Sequence, residues 1–337
     1  MAAGAHAAAT PRPLAPADEA LVRGVLARET RPLARCITLL ESTRADHRAR
    51  AQSVLEALLP HSGRSIRVGI SGAPGVGKST FIEALGLRLI GRGHRLAVLA
   101  VDPTSSVSGG SILGDKTRME RLARSPAAYI RPSPSGGSLG GVAEKTREAI
   151  LVCEAAGHDV IIVETVGVGQ SETAVAGMTD AFVLLQLPHA GDDLQAMKKG
   201  TVELADLIVI NKADVDRAAA AAAARYIELA LGILRPASPN WRTPVLRVSA
   251  LKDEGVAEFW SAILRRDEAM KASGEFIGRR RRQALDWMWA LIDAGLRERF
   301  RGHAGVRAQL ERLSDSVVRG TTTPVAAAQR LLALARE

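Results

Sequence analysis

The octapeptide Gly72-Ala73-Pro74-Gly75-Val76-Gly77-Lys78-Ser79 constrains this chain more than any other stretch of it. It fits the pattern G-x-x-x-x-G-K-[ST]. In that pattern glycines let backbone N–H groups curl round a phosphate, the lysine reaches the β/γ-phosphates, and the hydroxyl takes a Mg2+ position. The flanks suit it. Ile66-Arg67-Val68-Gly69-Ile70 reads as a buried strand, and Phe81, Ile82, Leu85 and Leu89 mark a helix that opens at Lys78. Thr80, beside Ser79, joins the candidate nucleotide contacts.

A second motif, Asn211-Lys212-Ala213-Asp214, follows another apolar strand, Leu207-Ile208-Val209-Ile210. An aspartate at the position of Asp214 can accept hydrogen bonds from guanine N1–H and the 2-amino group, and adenine offers no such donor pair. The first motif alone leaves ATP and GTP undecided; the two together select GTP. Ser249-Ala250-Leu251 ends a third strand, Val245-Leu246-Arg247-Val248, where backbone donors can meet guanine O6.

Strand and helix patterns alternate from Ile66 to about Leu264, as in a parallel sheet covered on both faces. The expected strands are 66–70, 96–101, 128–131, 160–163, 181–187, 207–210 and 245–248. The organisation expected is a disordered Ala/Pro-rich lead (1–17), an N-terminal helical region (18–63), a GTPase domain (64–265) and a C-terminal helical segment (266–337). In that last segment helices are expected over 279–301, 306–318 and 324–336. The run Ala218–Ala224 reads as an exposed helix. A helical stretch from Val142 to Ala156 leads into Val160-Ile161-Ile162-Val163, and a helical crossover of this kind joins parallel strands. Ras-like GTPases reach this point through an antiparallel hairpin. The all-parallel arrangement is that of the signal-recognition and MinD group, and MinD's extra lysine is replaced here by Ala73.

The 337 residues carry a net charge of +9, with 47% hydrophobic but only 3% aromatic residues. The basic balance admits an anionic partner, but aromatics do not alternate with the basic residues as a nucleic-acid stacking platform requires, so no nucleic acid is expected. Two cysteines, Cys36 and Cys153, indicate neither a disulfide framework nor a metal site. The first twenty residues lack an apolar signal core, and no run of 18 apolar residues occurs, so a soluble, cytoplasmic protein without membrane partners is expected.

Several acidic and charged positions fall where such a sheet binds ligands. Asp102 ends the strand Leu96–Val101; it either serves the Mg2+ and attacking-water region or caps its own loop. Asp115, past a Ser/Gly-rich loop, fits a nucleotide-responsive segment and equally an ordinary helix N-cap. Glu164 stands where a carboxylate meets hydrated Mg2+, and Gly167 where a backbone N–H can approach the γ-phosphate. A Gly-rich stretch, Ser135 to Gly141, precedes the helix from Val142 and is either an anion-facing helix start or a flexible connection. The segment 187–200 sets Asp192, Asp193, Lys198 and Lys199 inside an otherwise apolar region.

Taken together these residues closely resemble the MeaB/ArgK-type G proteins, bacterial relatives of the human protein of type A methylmalonic aciduria. The resemblance is carried by residues 72–79, Val-Asp-Pro-Thr-Ser at 101–105 and Gly-Asp-Lys-Thr-Arg-Met at 114–119. It is carried further by Glu-Thr-Val-Gly-Val-Gly-Gln-Ser-Glu at 164–172, Gly-Asp-Asp-Leu-Gln at 191–195 and Asn-Lys-Ala-Asp at 211–214. It implies a homodimeric GTPase that assists adenosylcobalamin-dependent methylmalonyl-CoA mutase, gating cofactor loading and protecting the mutase from inactivation. It further implies that Ser79, Asp102, Asp115 and Glu164 surround Mg2+ and that Lys78 holds the phosphates of GTP or GDP. The 187–200 loop resembles a third switch in which Asp192 and Lys198 match charged positions, with Lys198 expected to act at the phosphates when a partner docks. The helical tail resembles a dimerisation arm. The alternatives are a transport-system kinase of the arginine/ornithine type, for which an export signal is lacking, and a metal-insertion GTPase, for which His- or Cys-rich tracts are lacking.

Overall fold

The computed structural model describes residues 14–101, 119–132, 139–166, 171–189, 199–234 and 236–335. Seven strands form one sheet: β1 (Ile66–Gly72), β2 (Leu96–Val101), β3 (Ala128–Arg131), β4 (Val160–Thr165), β5 (Ala181–Gln186), β6 (Leu207–Ile210) and β7 (Val245–Arg247). Their spatial order is β3-β2-β4-β1-β5-β6-β7, and every pairing is parallel. Aliphatic runs buried on both faces are what such strands need, and β2, β4 and β5 are buried throughout. This is the mainly parallel P-loop GTPase fold expected. β1 and β4 each run two residues beyond the expected ends, because Ser71, Gly72, Glu164 and Thr165 still pair with neighbouring strands.

Three helices precede the sheet: α1 (Pro16–Leu26), α2 (Thr30–Glu41) and α3 (Ala45–Leu58). The first starts inside the stretch expected to be disordered. Pro16 sits in its first turn, where a missing N–H costs nothing, and Asp18 and Glu19 follow at the positive end of the helix dipole. Buried Asp18 also accepts from Arg50 of α3 at 2.7 Å. Gly24 lets α2 come close, since a Cβ there would lie 2.5 Å from the Pro32 ring.

Next come α4 (Lys78–Ile90), a single turn α5 (Glu120–Ala123), the crossover α6 (Leu139–Ala155), α7 (Ser171–Ala176), α8 (Lys199–Leu204), α9 (Arg217–Ile233) and α10 (Val256–Ala272). One face of the sheet packs with α1–α3, α6 and α9 through Ile37, Leu40, Val54, Ile150 and Ile161. The other packs with α4 and α10 through Phe81, Ile82, Phe259 and Trp260. The alanine run is not an exposed helix: Ala220, Ala223 and Ala224 are buried, their small side chains forming the face that meets the core. Cys36 and Cys153 are free and buried, and burial raises the Cys36 thiol to about 12, so it stays protonated.

The C-terminal boundary also differs from expectation. α10 runs straight through Arg265, and both Arg266 and Met270 are buried beyond it. Arg266 meets Asp206 at 2.7 Å, and Arg279, in the first turns of α11 (Glu275–Gly302), reaches the same carboxylate at 3.2 Å. Arg280 donates to Asp180 at 2.7 and 2.8 Å. These ties, made with the residues that open β5 and β6, extend the first compact unit to Arg280. The second unit, Arg281–Glu337, contains the rest of α11 with α12 (Ala304–Val318) and α13 (Pro324–Leu334). Thr323 caps α13 by accepting from the Ala326 N–H. In this unit α11 exposes Leu285, Met288, Trp289, Ile292 and Leu296 along one stripe.

Candidate guanine-nucleotide site

The connection after β1 leads toward β2 on one side of the sheet, and that after β5 leads to β6 on the other. Ligands bind in the crevice that such a reversal opens at the carboxyl ends of the strands. The octapeptide lies there. Gly75 and Gly77 take left-handed φ values of 80° and 90°, which turn the loop tightly enough to feed α4. Buried Val76 anchors the loop in the core, and Gly77, the N-cap of α4, has no side chain to occupy the first N–H groups of that helix. Those donors and the helix dipole could hold an anion. Lys78 Nζ reaches back across the loop to the Gly72 carbonyl at 2.5 Å.

The second motif is joined directly to the first. Asn211, only 1% exposed, donates from Nδ2 to the Val76 carbonyl at 2.8 Å and accepts at Oδ1 from the Ala250 N–H at 3.3 Å. A Cβ at Gly77 would lie 2.8 Å from the same Nδ2, so the loop and the asparagine fit only with glycine there. Lys212 adopts a left-handed φ of 57°, and Ala213 N–H bonds the Val248 carbonyl at 3.0 Å, holding the turn against β7. The Ser249 hydroxyl, foremost, keeps the Asp214 carboxyl below the usual carboxylate range, with Lys252 Nζ at 3.6 Å adding to this. An ionised carboxylate presents only acceptors, as a guanine edge requires. Leu251 is 83% exposed, whereas Ser249 and Ala250 are buried.

Glu164 is 3% exposed near the end of β4, between Ile70 of β1 and Ala100 of β2. Ser79 is half-buried and Thr80 exposed in the first turn of α4. Mg2+ binds through one or two carboxylates and substrate phosphates while keeping several waters, so a Ser hydroxyl and a buried carboxylate flanking a phosphate loop suit it. Asp102, Asp115, Gly167, Asp192 and Lys198 lie outside the described residues, as does most of the Gly-rich stretch before α6. Its last three residues, Leu139, Gly140 and Gly141, belong to α6 itself.

Against this geometry, the family model described as Methylmalonyl Co-A mutase-associated GTPase MeaB matches residues 33–304. The chain belongs to the MeaB family. Its relatives include the Mus musculus protein named methylmalonic aciduria type A homolog, mitochondrial, 47% identical over 324 residues, covering 93% of this chain and 78% of the relative. GTPase ArgK of Escherichia coli is 52% identical over 261 residues, covering 77% and 79%. A crystal structure titled LAO/AO transport system kinase shares 37% identity with a TM-score of 0.78, covering 97% of this chain and all of that one. The MeaB-family assignment carries guanine-nucleotide binding with it, which the Asp214 arrangement independently favours.

Three features of this MeaB-family site escape a reading of motifs. Lys252 is one, although it directly follows the Ser249–Leu251 tripeptide. The bracing role of Asn211 is another, visible only once Val76 is seen beside it. The third is a hydroxyl pair, Ser71 and Thr165, 2.9 Å apart behind the phosphate loop. Among the described residues, no helix is long and apolar enough to cross a membrane.

Proposed function

We propose that this MeaB-family protein is a Mg2+-dependent GTPase, a homodimer through the segment after Arg280, that serves an adenosylcobalamin-dependent methylmalonyl-CoA mutase by gating cofactor loading and protecting it from inactivation. The observation that carries the nucleotide choice is the ionised Asp214 carboxylate, held by Ser249 and Lys252 beside a turn that Asn211 ties to the phosphate loop. The partner rests on the description of the family model and on the name of the mouse relative. The transport-kinase reading rests on a structural relative's title alone, and a guanine-reading aspartate does not favour an ATP-dependent kinase.

In this reading Lys78 and the first N–H groups of α4 gather negative charge on the β- and γ-phosphates. Phosphoryl transfer gains most from such positioning and charge stabilisation, with little covalent chemistry for the protein to do. Ser79 and Glu164, with Asp102 and Asp115 from outside the described residues, would hold Mg2+, which supplies further charge neutralisation at the phosphates. Gly167 N–H serves the γ-phosphate. Lys198, in the 187–200 loop, approaches the phosphates when the mutase docks, so hydrolysis is slow alone and faster with the partner. GTP turnover measured with and without methylmalonyl-CoA mutase tests this. Lys78→Ala is expected to abolish turnover, and Lys198→Ala to keep basal turnover while losing the acceleration. A Lys198→Ala protein accelerated as fully as the original would remove that lysine from the mechanism.

A further inference from the structure

The central strands part at the catalytic end of the sheet. The β1–β4 ladder ends with the pair Ile70–Glu164. From there β1 continues along β5 to the pair Gly72–Leu185, while β4 continues along β2 to Val101–Thr165, with Val166 N–H still bonded to the Val101 carbonyl at 2.9 Å. The phosphate loop opens at one branch of this fork; Glu164 stands at its base, and Thr165, the next residue, begins the other branch. One residue past the last ladder pair, side chains take over: Ser71 Oγ and Thr165 Oγ1 lie 2.9 Å apart, both wholly buried. Alternation along a strand puts them on the face opposite Ile70 and Glu164, behind the reacting side of the sheet.

Stability alone does not call for hydroxyls here. Two apolar groups of the same shape would be nearly neutral by comparison, since a buried hydroxyl pair regains in its mutual bond about what it loses in desolvation. What apolar groups cannot do is set the spacing of the two branches by a directional bond.

We propose that the Ser71–Thr165 pair is a positioning device for GTP hydrolysis, fixing the distance between the phosphate loop and Glu164. This deepens the GTPase reading above and rests on it. Wholly buried and on the face opposite Glu164, the pair acts through the strand ends it joins, so its effect falls on turnover at saturating substrate and not on nucleotide affinity. A small misplacement of reacting groups is enough to matter, and loss of the bond is expected to slow single-turnover hydrolysis by about ten- to a hundred-fold.

The experiment compares Ser71→Ala, Thr165→Val, Thr165→Ser and the double variant Ser71→Ala/Thr165→Val in the full chain. Single-turnover rate at saturating Mg2+ and GTP, GTP affinity by calorimetry, and urea denaturation are measured for each. Expected are slow hydrolysis with GTP affinity close to the original for Ser71→Ala and Thr165→Val, and a near-original rate for Thr165→Ser, which keeps the hydroxyl. The double variant separates position from stability. With no hydroxyl left stranded, its resistance to urea recovers toward the original, while its rate stays low. A double variant whose rate recovers with its stability, or a Thr165→Val protein of unchanged rate, would reduce the pair to packing. If the unmodified protein binds GTP but does not hydrolyse it, the GTPase reading itself fails, and the proposal fails with it for that separate reason.

Discussion

Replacing Asn211 by alanine is the sharpest probe of how the two nucleotide motifs cooperate. The side chain makes two buried contacts: the 2.8 Å bond to the Val76 carbonyl and the longer 3.3 Å bond from the Ala250 N–H. Asn211→Ala strands both backbone groups in a region that water does not reach, since Asn211 is itself 1% exposed. Leaving a buried polar group without a partner costs about 1–3 kcal/mol. The long bond belongs near the bottom of that range and the short one nearer the top, so the loss is about 2–4 kcal/mol. If it is expressed wholly in nucleotide binding, it corresponds to about 30- to 700-fold in Kd.

The geometry also says which nucleotides suffer. Val76 belongs to the phosphate loop, so a loosened loop weakens any triphosphate. Calorimetric titration of Asn211→Ala with GTP, ITP and ATP is therefore expected to show parallel losses, with the order of preference kept. A variant that holds its triphosphate affinity but no longer distinguishes guanine from adenine would refute the argument. Asn211 would then be reading the base and not bracing the loop.

Asp214→Asn puts an amide donor in front of guanine donors, so GTP affinity should fall at least about a hundred-fold while xanthosine triphosphate gains relative to it, as competition binding would show. Equal binding of ATP and GTP by the unmodified protein would end the guanine reading. The exposed stripe on α11 suggests a self-association face, and Trp289, 59% exposed, is its largest member. Trp289→Asp together with Ile292→Asp should convert a dimer to a monomer in light scattering, and an unchanged mass would place the interface elsewhere. His158 is buried and its pKa is pulled down from 6.5 to about 4, chiefly by desolvation. Its folded form therefore resists protonation, and stability is fully present above the unfolded value and lost as pH falls from about 6.5 toward 4. That loss amounts to at most about 3 kcal/mol. Urea midpoints measured across that window should fall for the original protein and flatten in His158→Gln; equal slopes would assign the acid sensitivity to other groups.

Much of this protein is determined locally and is legible in its sequence. The inner strands β2, β4, β5 and β6 stand where short aliphatic runs stand and are buried throughout, because burial on both faces demands such runs and little else satisfies it. The phosphate loop is equally local: its glycines take conformations, φ of 80° at Gly75 and 90° at Gly77, that follow from having no Cβ. The guanine expectation for Asp214 likewise needs only its tetrapeptide, because the chemistry of one edge of a base calls for one kind of side chain.

Tertiary structure decided what depends on partners far along the chain. Asn211 and Val76 are 135 residues apart, and Ser71 and Thr165 are 94 apart; no spacing within either segment announces the bond between them. Both arise because the parallel sheet gathers the carboxyl ends of its strands along one edge, β4 beside β1 for Ser71 and Thr165, and β6, with only β5 between it and β1, for Asn211, which meets the loop that follows β1. The alanine run shows the same limit. Its composition says helix, but which side of that helix is buried follows from where β6 and β7 leave room for small side chains. At Arg265 the apolar strand signal stops, yet the first unit continues to Arg280, because arginine side chains reach back to Asp206 and Asp180. Those ion pairs join residues 60 and 100 positions apart, and only the folded sheet, which sets both aspartates at the starts of neighbouring strands, gives the arginines something to hold.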